Sequence, residues 1–378
     1  MSTCVLALGL LVQARIPTLC WGPPGIGKTA IIRAIAARLG LPCEVVIASL
    51  REPADFLGLP LPGEVQGRPV IRRAVEGWAA RLQRGGGVLL LDEITCAAPA
   101  VQAALLRVVL ERVVGEEQLS DAVAVVLAAN PEDLAAGGWQ LAAPLANRVV
   151  HLDWTTDPIA WCEAAIRGYP APEVPALPES WRAQLGPARQ LISAYIRRSP
   201  GALLAVPTDE AARSRAYPTP RSWDTAAQCL AACTAAQVAP EVRSAVVCGA
   251  VGHAAGGECL DYIDQLDLPD PEALLAAPAS YRPDRRGDRA SATLAALVAA
   301  VQPVPSRERW DVAWRIVQAH ARLDRGLASH AASGLIQLLR AYGGQVDGQP
   351  PRDCAAWLAV LQPAVEAVMR AKQAGGGQ

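Results

Sequence analysis

Gly22-Pro23-Pro24-Gly25-Ile26-Gly27-Lys28-Thr29, written GPPGIGKT, is the stretch whose reading decides the fold. Its spacing is GxxxxGK[ST], in which glycines let backbone N–H groups curl around phosphate oxygens, a lysine reaches the β and γ phosphates, and a hydroxyl ligates magnesium. Ile16 to Trp21 before it is a short apolar run that reads as a strand, and Lys28 to Leu39 after it has a helical pattern. Strand, glycine-rich turn and helix is the context such a loop needs, because the helix N-terminus adds partial positive charge where the phosphates sit. Composition adds weight to Lys28: of 35 Lys and Arg residues only Lys28 and Lys372 are lysine, and asparagine occurs only at 130 and 147. In a chain that uses Arg almost everywhere, a Lys or an Asn marks a place where chemistry does not accept the substitute.

Outward from the loop, short apolar runs alternate with helical patterns up to about residue 155, which predicts a mainly parallel sheet covered by helices on both faces. The expected strands are Ile16 to Trp21, Cys43 to Ser49, Gly87 to Asp92, Ala122 to Asn130 and Arg148 to Trp154, with a helix over Ala98 to Val113. After Trp154 helices separated by Pro and Gly take over, beginning with Asp157 as an N-cap and Pro158 in the first helical position. Helices are expected at Ala188 to Arg198, Arg221 to Ala236, Pro240 to Val251 and Ala290 to Val301, then at Arg307 to Arg322, Leu327 to Tyr342 and Cys354 to Lys372. The resulting fold class is α/β: a P-loop core with a parallel five-stranded sheet flanked by helices over 1–155, an α-helical lid over 156–301 and C-terminal helices over 302–378. The mixed-charge run Tyr281 to Arg289 reads as a solvated face.

Two further strand ends carry polar residues suited to phosphate chemistry. GVLLLDE, Gly87 to Glu93, is a buried strand ending in two carboxylates; Asp92 would hold magnesium directly or through water, and Glu93 is the better candidate for the base that polarises an attacking water. An acidic pair capping a helix is the bland alternative for that motif alone. VAVVLAAN ends at Asn130, whose amide suits the attacking water and the γ phosphate, although Asn before Pro is also an ordinary turn signal. Arg148, which follows Ala146 and Asn147 at the start of the fifth strand, and Arg221, which follows the Thr219-Pro220 cap of a later helix, are candidate cations for charge developing in phosphoryl transfer. Each competes with the reading of an ordinary surface Arg.

Taken together these residues resemble the AAA+ superfamily and, within it, the MoxR-like and dynein-related ATPases, closely over about Leu8 to Asp153. By that resemblance GPPGIGKT is Walker A, LLLDE is Walker B and Asn130 is sensor 1. Arg148, in LANRVVHL, resembles the arginine finger that reaches a neighbouring subunit's nucleotide, with Arg107 and Arg112 as fallback candidates, and Arg221, in TPRSW, resembles sensor 2. The stretch from Ser49 to Trp78 resembles the insertion that splits the second helix in this clade, and Gly115 to Asp121 looks like a hairpin before sensor 1. One departure is Val149, where an aromatic is usual. The resemblance implies ATP and Mg2+ as ligands, ATP hydrolysis, a ring oligomer, commonly a hexamer, and a partner such as a protein with a von Willebrand factor A domain. Two functions are compatible with it: a ring that remodels or activates a protein partner, and a nucleotide-gated scaffold in which slow turnover acts as a timer.

Other classes are disfavoured by composition. A formal net charge of −1 supplies no global field for nucleic acid, so a DNA-directed motor is the weaker reading. No NKxD-like motif follows the third strand, which disfavours GTP. The apolar run Val5 to Val12 lacks a basic n-region and is followed by Gln13 and Arg15, so it is expected to be a helix rather than a signal peptide or membrane span. Ten cysteines without a CxxC pair read as reduced thiols, and the expected compartment is the cytoplasm.

Overall fold

The central strands of the first domain are apolar throughout because both of their faces are covered. In the computed structural model, which describes residues 3–131, 134, 138–266, 268–301 and 306–341, every residue of Val123–Ala129 is buried, and so is Gly87–Asp92 up to its last residue. The chain divides into two compact units, Met1–Arg182 with Gly201–Leu260, and Ala183–Pro200 with the residues from Asp261 onward.

In chain order the first unit begins with α1 (Thr3–Ala14), β1 (Thr18–Trp21), α2 (Lys28–Arg38) and β2 (Cys43–Ile47). It continues through α3 (Pro53–Leu57), the strands β3 (Leu59–Val65) and β4 (Arg68–Ala74), α4 (Gly77–Arg84), β5 (Gly87–Asp92) and α5 (Pro99–Glu111). Next come β6 (Val113–Val114), β7 (Glu117–Gln118), β8 (Val123–Ala129), α6 (Ala143–Ala146), β9 (Val150–Asp153) and α7 (Pro158–Ile166). After α8 (Leu185–Arg198), which belongs to the second unit, follow α9 (Glu210–Arg213), α10 (Pro220–Ala236), α11 (Pro240–Val251) and α12 (His253–Asp264). The chain then runs through α13 (Pro271–Ala276), α14 (Gly287–Val301), α15 (Arg307–Ala321) and α16 (Arg325–Ala341).

Five strands form the parallel sheet expected from the sequence, and their order is β2-β5-β8-β1-β9. Register sets Trp21 opposite both Ala129 and Asp153, and Ile47 opposite Asp92, so the carboxyl ends of all five strands share one edge. Ligands of open α/β sheets bind at that edge. The fifth strand starts at Val150 rather than at the expected Arg148, because residues 143–148 close α6 and its following turn: Asn147 and Arg148 donate their N–H groups to Ala143 and Leu145.

The region 49–84 contains α3, the antiparallel hairpin β3–β4 and α4. Its two-residue turn places both Gln66 (φ 52°) and Gly67 (φ 75°) in the left-handed region, the backbone that matches strand twist in a tight hairpin. The second small hairpin, β6–β7, turns at Gly115–Glu116. Caps fall where the sequence places them. Asp157 accepts from the Ile159 N–H to start α7, and Thr219 with Ser222 forms a reciprocal capping box on α10.

Helix α11 lies directly on β9, and the approach depends on Gly249. A Cβ there would sit 2.3 Å from the carbonyl oxygen of His151. Helix α12, which contains Gly256-Gly257, was not among the helices expected.

In the second unit α13 to α16 enclose one core that includes Leu294, Leu297, Trp310, Trp314 and Leu335. Trp310 and Trp314, one turn apart on α15, stack at 5.1 Å, and the Trp310 indole donates to the Leu335 carbonyl. The mixed-charge run is ion-paired, Arg286 with Asp288 and Arg289 with Asp284, whereas Tyr281 at its start is buried rather than solvated. Helix α14 begins at Gly287, three residues before the expected start. The helix expected at Cys354 to Lys372 lies outside the described residues, as does Tyr342. Among the described residues no helix is long and apolar enough to cross a membrane. The nine described cysteines are free, and burial pushes the thiol of Cys229 well above its ordinary pKa and that of Cys233 up to about 12.

Candidate phosphate-binding site

Strand β1 is fully buried and delivers the chain to the sheet edge at Trp21. From there the loop must reverse into α2 without side chains blocking its amides. Gly25 (φ 79°) and Gly27 (φ 94°) take left-handed backbone conformations, and no atom lies within 4 Å of a Cβ built on either. The requirement for glycine here is therefore conformational, not steric. Gly27 is the N-cap of α2 and no side chain caps that helix, so its first N–H groups and its dipole are left facing the loop. Pro23, Pro24, Gly25 and Gly27 are exposed, Ile26 and Thr29 are partly so, and Gly22 is buried against Trp154.

Lys28 is 7% exposed, and its Nζ donates to the carbonyl oxygens of Gly22 (2.6 Å) and Pro23 (3.0 Å) and to Asn130 Oδ1 (2.9 Å). Burial draws the ammonium's pKa down, and the nearby Asp92 carboxylate opposes that shift. Thr29 Oγ1 donates to Asp92 Oδ2 at 2.6 Å, while Asp92 Oδ1 accepts from the Glu93 backbone N–H. Glu93 sits at φ 56°, an uncommon backbone for a residue with a side chain, and its carboxylate accepts from the Ser49 hydroxyl. Asn130 is held from behind, its carbonyl accepting from Thr95 Oγ1. Lys28, Thr29, Asp92, Glu93 and Asn130 thus meet at one place, from two strand ends and one helix start. Ser49 is a member that sequence reading did not assign to it.

The donor set fits magnesium and a triphosphate. A threonine hydroxyl and a carboxylate 2.6 Å apart are hard oxygen ligands of the kind this cation takes while keeping water and phosphate in its other positions. A lysine held between carbonyl and amide oxygens beside an uncapped helix start supplies the matching positive charge.

Arg148 and Arg221 form a second group. Arg148 donates through Nη1 to the Pro144 carbonyl, its buried Nε has no hydrogen-bond partner among the described residues, and its pKa is lowered first by burial and then by the adjacent Arg221. Arg221 is exposed in the first turn of α10. Asn147 ties the two regions together: its Nδ2 donates to the Tyr217 carbonyl, and its Oδ1 accepts from Thr219, the N-cap of α10. The scarcity of asparagine was the signal that could have found it. The fallback arginines are engaged within their own protomer. Arg107 bonds Glu111 and the Gly115 carbonyl, and Arg112 bonds the carbonyls of Asp121 and Arg15.

Residues 17–149 match the profile of the AAA domain, dynein-related subfamily. No curated protein matches the sequence. Among solved structures, the chain is similar to a "putative ATPase" from Cytophaga hutchinsonii at 16% identity and a TM-score of 0.40, covering 66% of this chain and 80% of that one. It is also similar to a full-length MCM homolog from Methanopyrus kandleri at 16% identity and a TM-score of 0.35, covering 69% of this chain and 53% of that one. The profile match ends one residue before β9 and so encloses the whole cluster from Gly22 to Asn130: residues 17–149 form an AAA domain of the dynein-related subfamily.

Proposed function

We propose that this ATPase is of MoxR type and works as a ring, a hexamer by family precedent, that uses MgATP hydrolysis to remodel or activate a protein partner in the cytoplasm. The observation that carries the site assignment is the convergence of Lys28 on Asn130 and of Thr29 on Asp92 at the sheet edge. In this reading the amides of Gly22 to Thr29 and the Lys28 ammonium bind the triphosphate, and Thr29 and Asp92 hold magnesium. The metal, when bound, neutralises charge on the phosphoryl oxygens. Glu93 accepts the proton of the attacking water, and Asn130 orients that water. Arg148 completes a neighbouring subunit's site and Arg221 senses the nucleotide from the helical region after Asp153, which acts as the lid over 156–301, with 302–378 as a further helical region. A protein with a von Willebrand factor A domain is the partner class the family precedent favours.

The Ser49 contact on Glu93 favours a second reading. A carboxylate engaged by a hydroxyl is not free to meet the attacking water until that bond is released, as expected of a scaffold whose slow turnover times its disassembly.

Native mass measurement of the Glu93→Gln chain with MgATP tests the ring: a discrete oligomer that disperses without nucleotide is expected, and a monomer under both conditions overturns it. Partner addition separates the two readings. A remodeller loses its effect on the partner in Glu93→Gln, and a scaffold retains it.

A further inference from the structure

We propose that His151 is a positioning residue that fixes the root of the phosphate loop to the turn carrying Arg148 and, through Asn147, to the start of the Arg221 helix. The proposal rests on the reading of Arg148 and Arg221 given above.

The register of β1 on β9 makes the link possible. Leu19 lies opposite His151 and Trp21 opposite Asp153, so Trp21 and His151 are diagonal neighbours on one face of the sheet. The Trp21 indole, which can only donate, gives its Nε1–H to His151 Nδ1 at 2.8 Å. The proton of the neutral ring is thereby on Nε2, which lies 2.9 Å from the Ala146 carbonyl and donates to it. Trp21 is the residue before Gly22, and Ala146 is the residue before Asn147 and Arg148. One imidazole therefore joins the start of the phosphate loop to the arginine turn with both of its nitrogens committed.

The connection continues on both sides. From the turn, Asn147 bonds Tyr217 and Thr219 and so holds the first turn of α10, which carries Arg221. From the other side, the Arg215 guanidinium lies 4.3 Å from the centre of a Trp21 ring and pairs with Asp153 at 2.7 Å. The segment that leads into α10 is thus tied twice, through Arg215 to the ends of β1 and β9 and through Asn147 to the turn before β9. A buried position with only a packing duty takes an aliphatic or phenyl side chain, because a polar ring costs stability there unless its bonds are made. His151 makes both of its bonds, and both are directed at residues that flank the phosphate chemistry.

Steady-state ATP hydrolysis by the full chain tests this with His151→Phe, which keeps ring volume and removes both bonds, and Trp21→Phe, which removes only the indole donor. Each should lower kcat at least tenfold while the KM for MgATP stays within threefold. The double variant should be no worse than the poorer single one, since the two share a bond. Placed on Arg148→Ala, His151→Phe should change kcat by less than twofold, because its effect passes through that turn. Unchanged kcat in Trp21→Phe, or full additivity with Arg148→Ala, overturns the proposal, and Trp21→Phe decides the matter if His151→Phe does not fold. The two layers fail differently. Arg148→Ala with wild-type kcat sinks the arginine assignment and this proposal with it, whereas an impaired Arg148→Ala beside an unimpaired Trp21→Phe sinks only the positioning role.

Discussion

Acidification should destabilise the first unit through His151. The ring is fully buried, and that burial is the first cause of a pKa lowered from 6.5 to about 4. Arg215 adds to the shift, while the Ala146 carbonyl and Asp153 oppose it. The folded state binds this proton less readily than the unfolded chain does, so the stabilisation is complete above the unfolded value and is lost as pH falls from about 6.5 toward 4. A separation of that size corresponds to a ceiling of about 3 kcal/mol, with about 1 kcal/mol gone by pH 5.5 and most of it by pH 4.5. Urea unfolding of wild type and His151→Phe between pH 7.5 and 4.5 isolates the contribution, because carboxylates titrating in the same window cancel in the difference. Imidazole 15N resonances report the same group directly, and the chain has only four histidines to assign. The expected result is a neutral ring protonated on Nε2 down to about pH 5. A His151 that titrates near 6.5, or that carries its proton on Nδ1, would refute the hydrogen-bond assignment on which the reasoning stands.

The remaining predictions concern chemistry and packing. Glu93→Gln should bind MgATP with wild-type affinity and lose turnover by about a hundredfold or more, seen in parallel calorimetry and phosphate release. If Arg148 acts across a subunit boundary, mixing Arg148→Ala with Glu93→Gln chains should recover activity that neither has alone, and mixtures no better than the weighted mean of the two would place Arg148 in its own site. Gly249→Ala should cost about 2 kcal/mol or more, since the added methyl meets the His151 carbonyl and must push α11 off β9. A melting temperature within a degree of wild type would contradict that contact.

The sheet was legible in the sequence because a strand buried on both faces writes itself as an apolar run. Gly87–Asp92 has the bounds expected, and the other four strands are shorter than expected by a residue or two at one end or both. The placement of Lys28 and Thr29 at a helix start and of Asp92 and Asn130 at strand ends was legible for a second reason: the end of an element is a local feature. What could not be read depends on chain segments that are distant in sequence and adjacent in space. Ser49 reaches Glu93 from the end of another strand, and nothing in the composition of that strand announces it. The bond between Trp21 and His151 depends on the β1–β9 register, which no single run encodes. Arg148 was expected inside a strand because Arg148 to Trp154 is continuous in character, yet the turn after α6 claims its backbone. Helix α12 was hidden by its paired glycines, whose weak helix propensity tertiary packing overrides.

The central claim is that the turn between β1 and α2 binds the phosphates of MgATP. Calorimetric titration of MgATP into the wild-type chain and into Lys28→Ala tests it most directly. The account predicts saturable binding by wild type and a loss of about a hundredfold in the variant, whose carbonyl and amide oxygens no longer hold a cation at the loop. Equal affinity in the two proteins would contradict it.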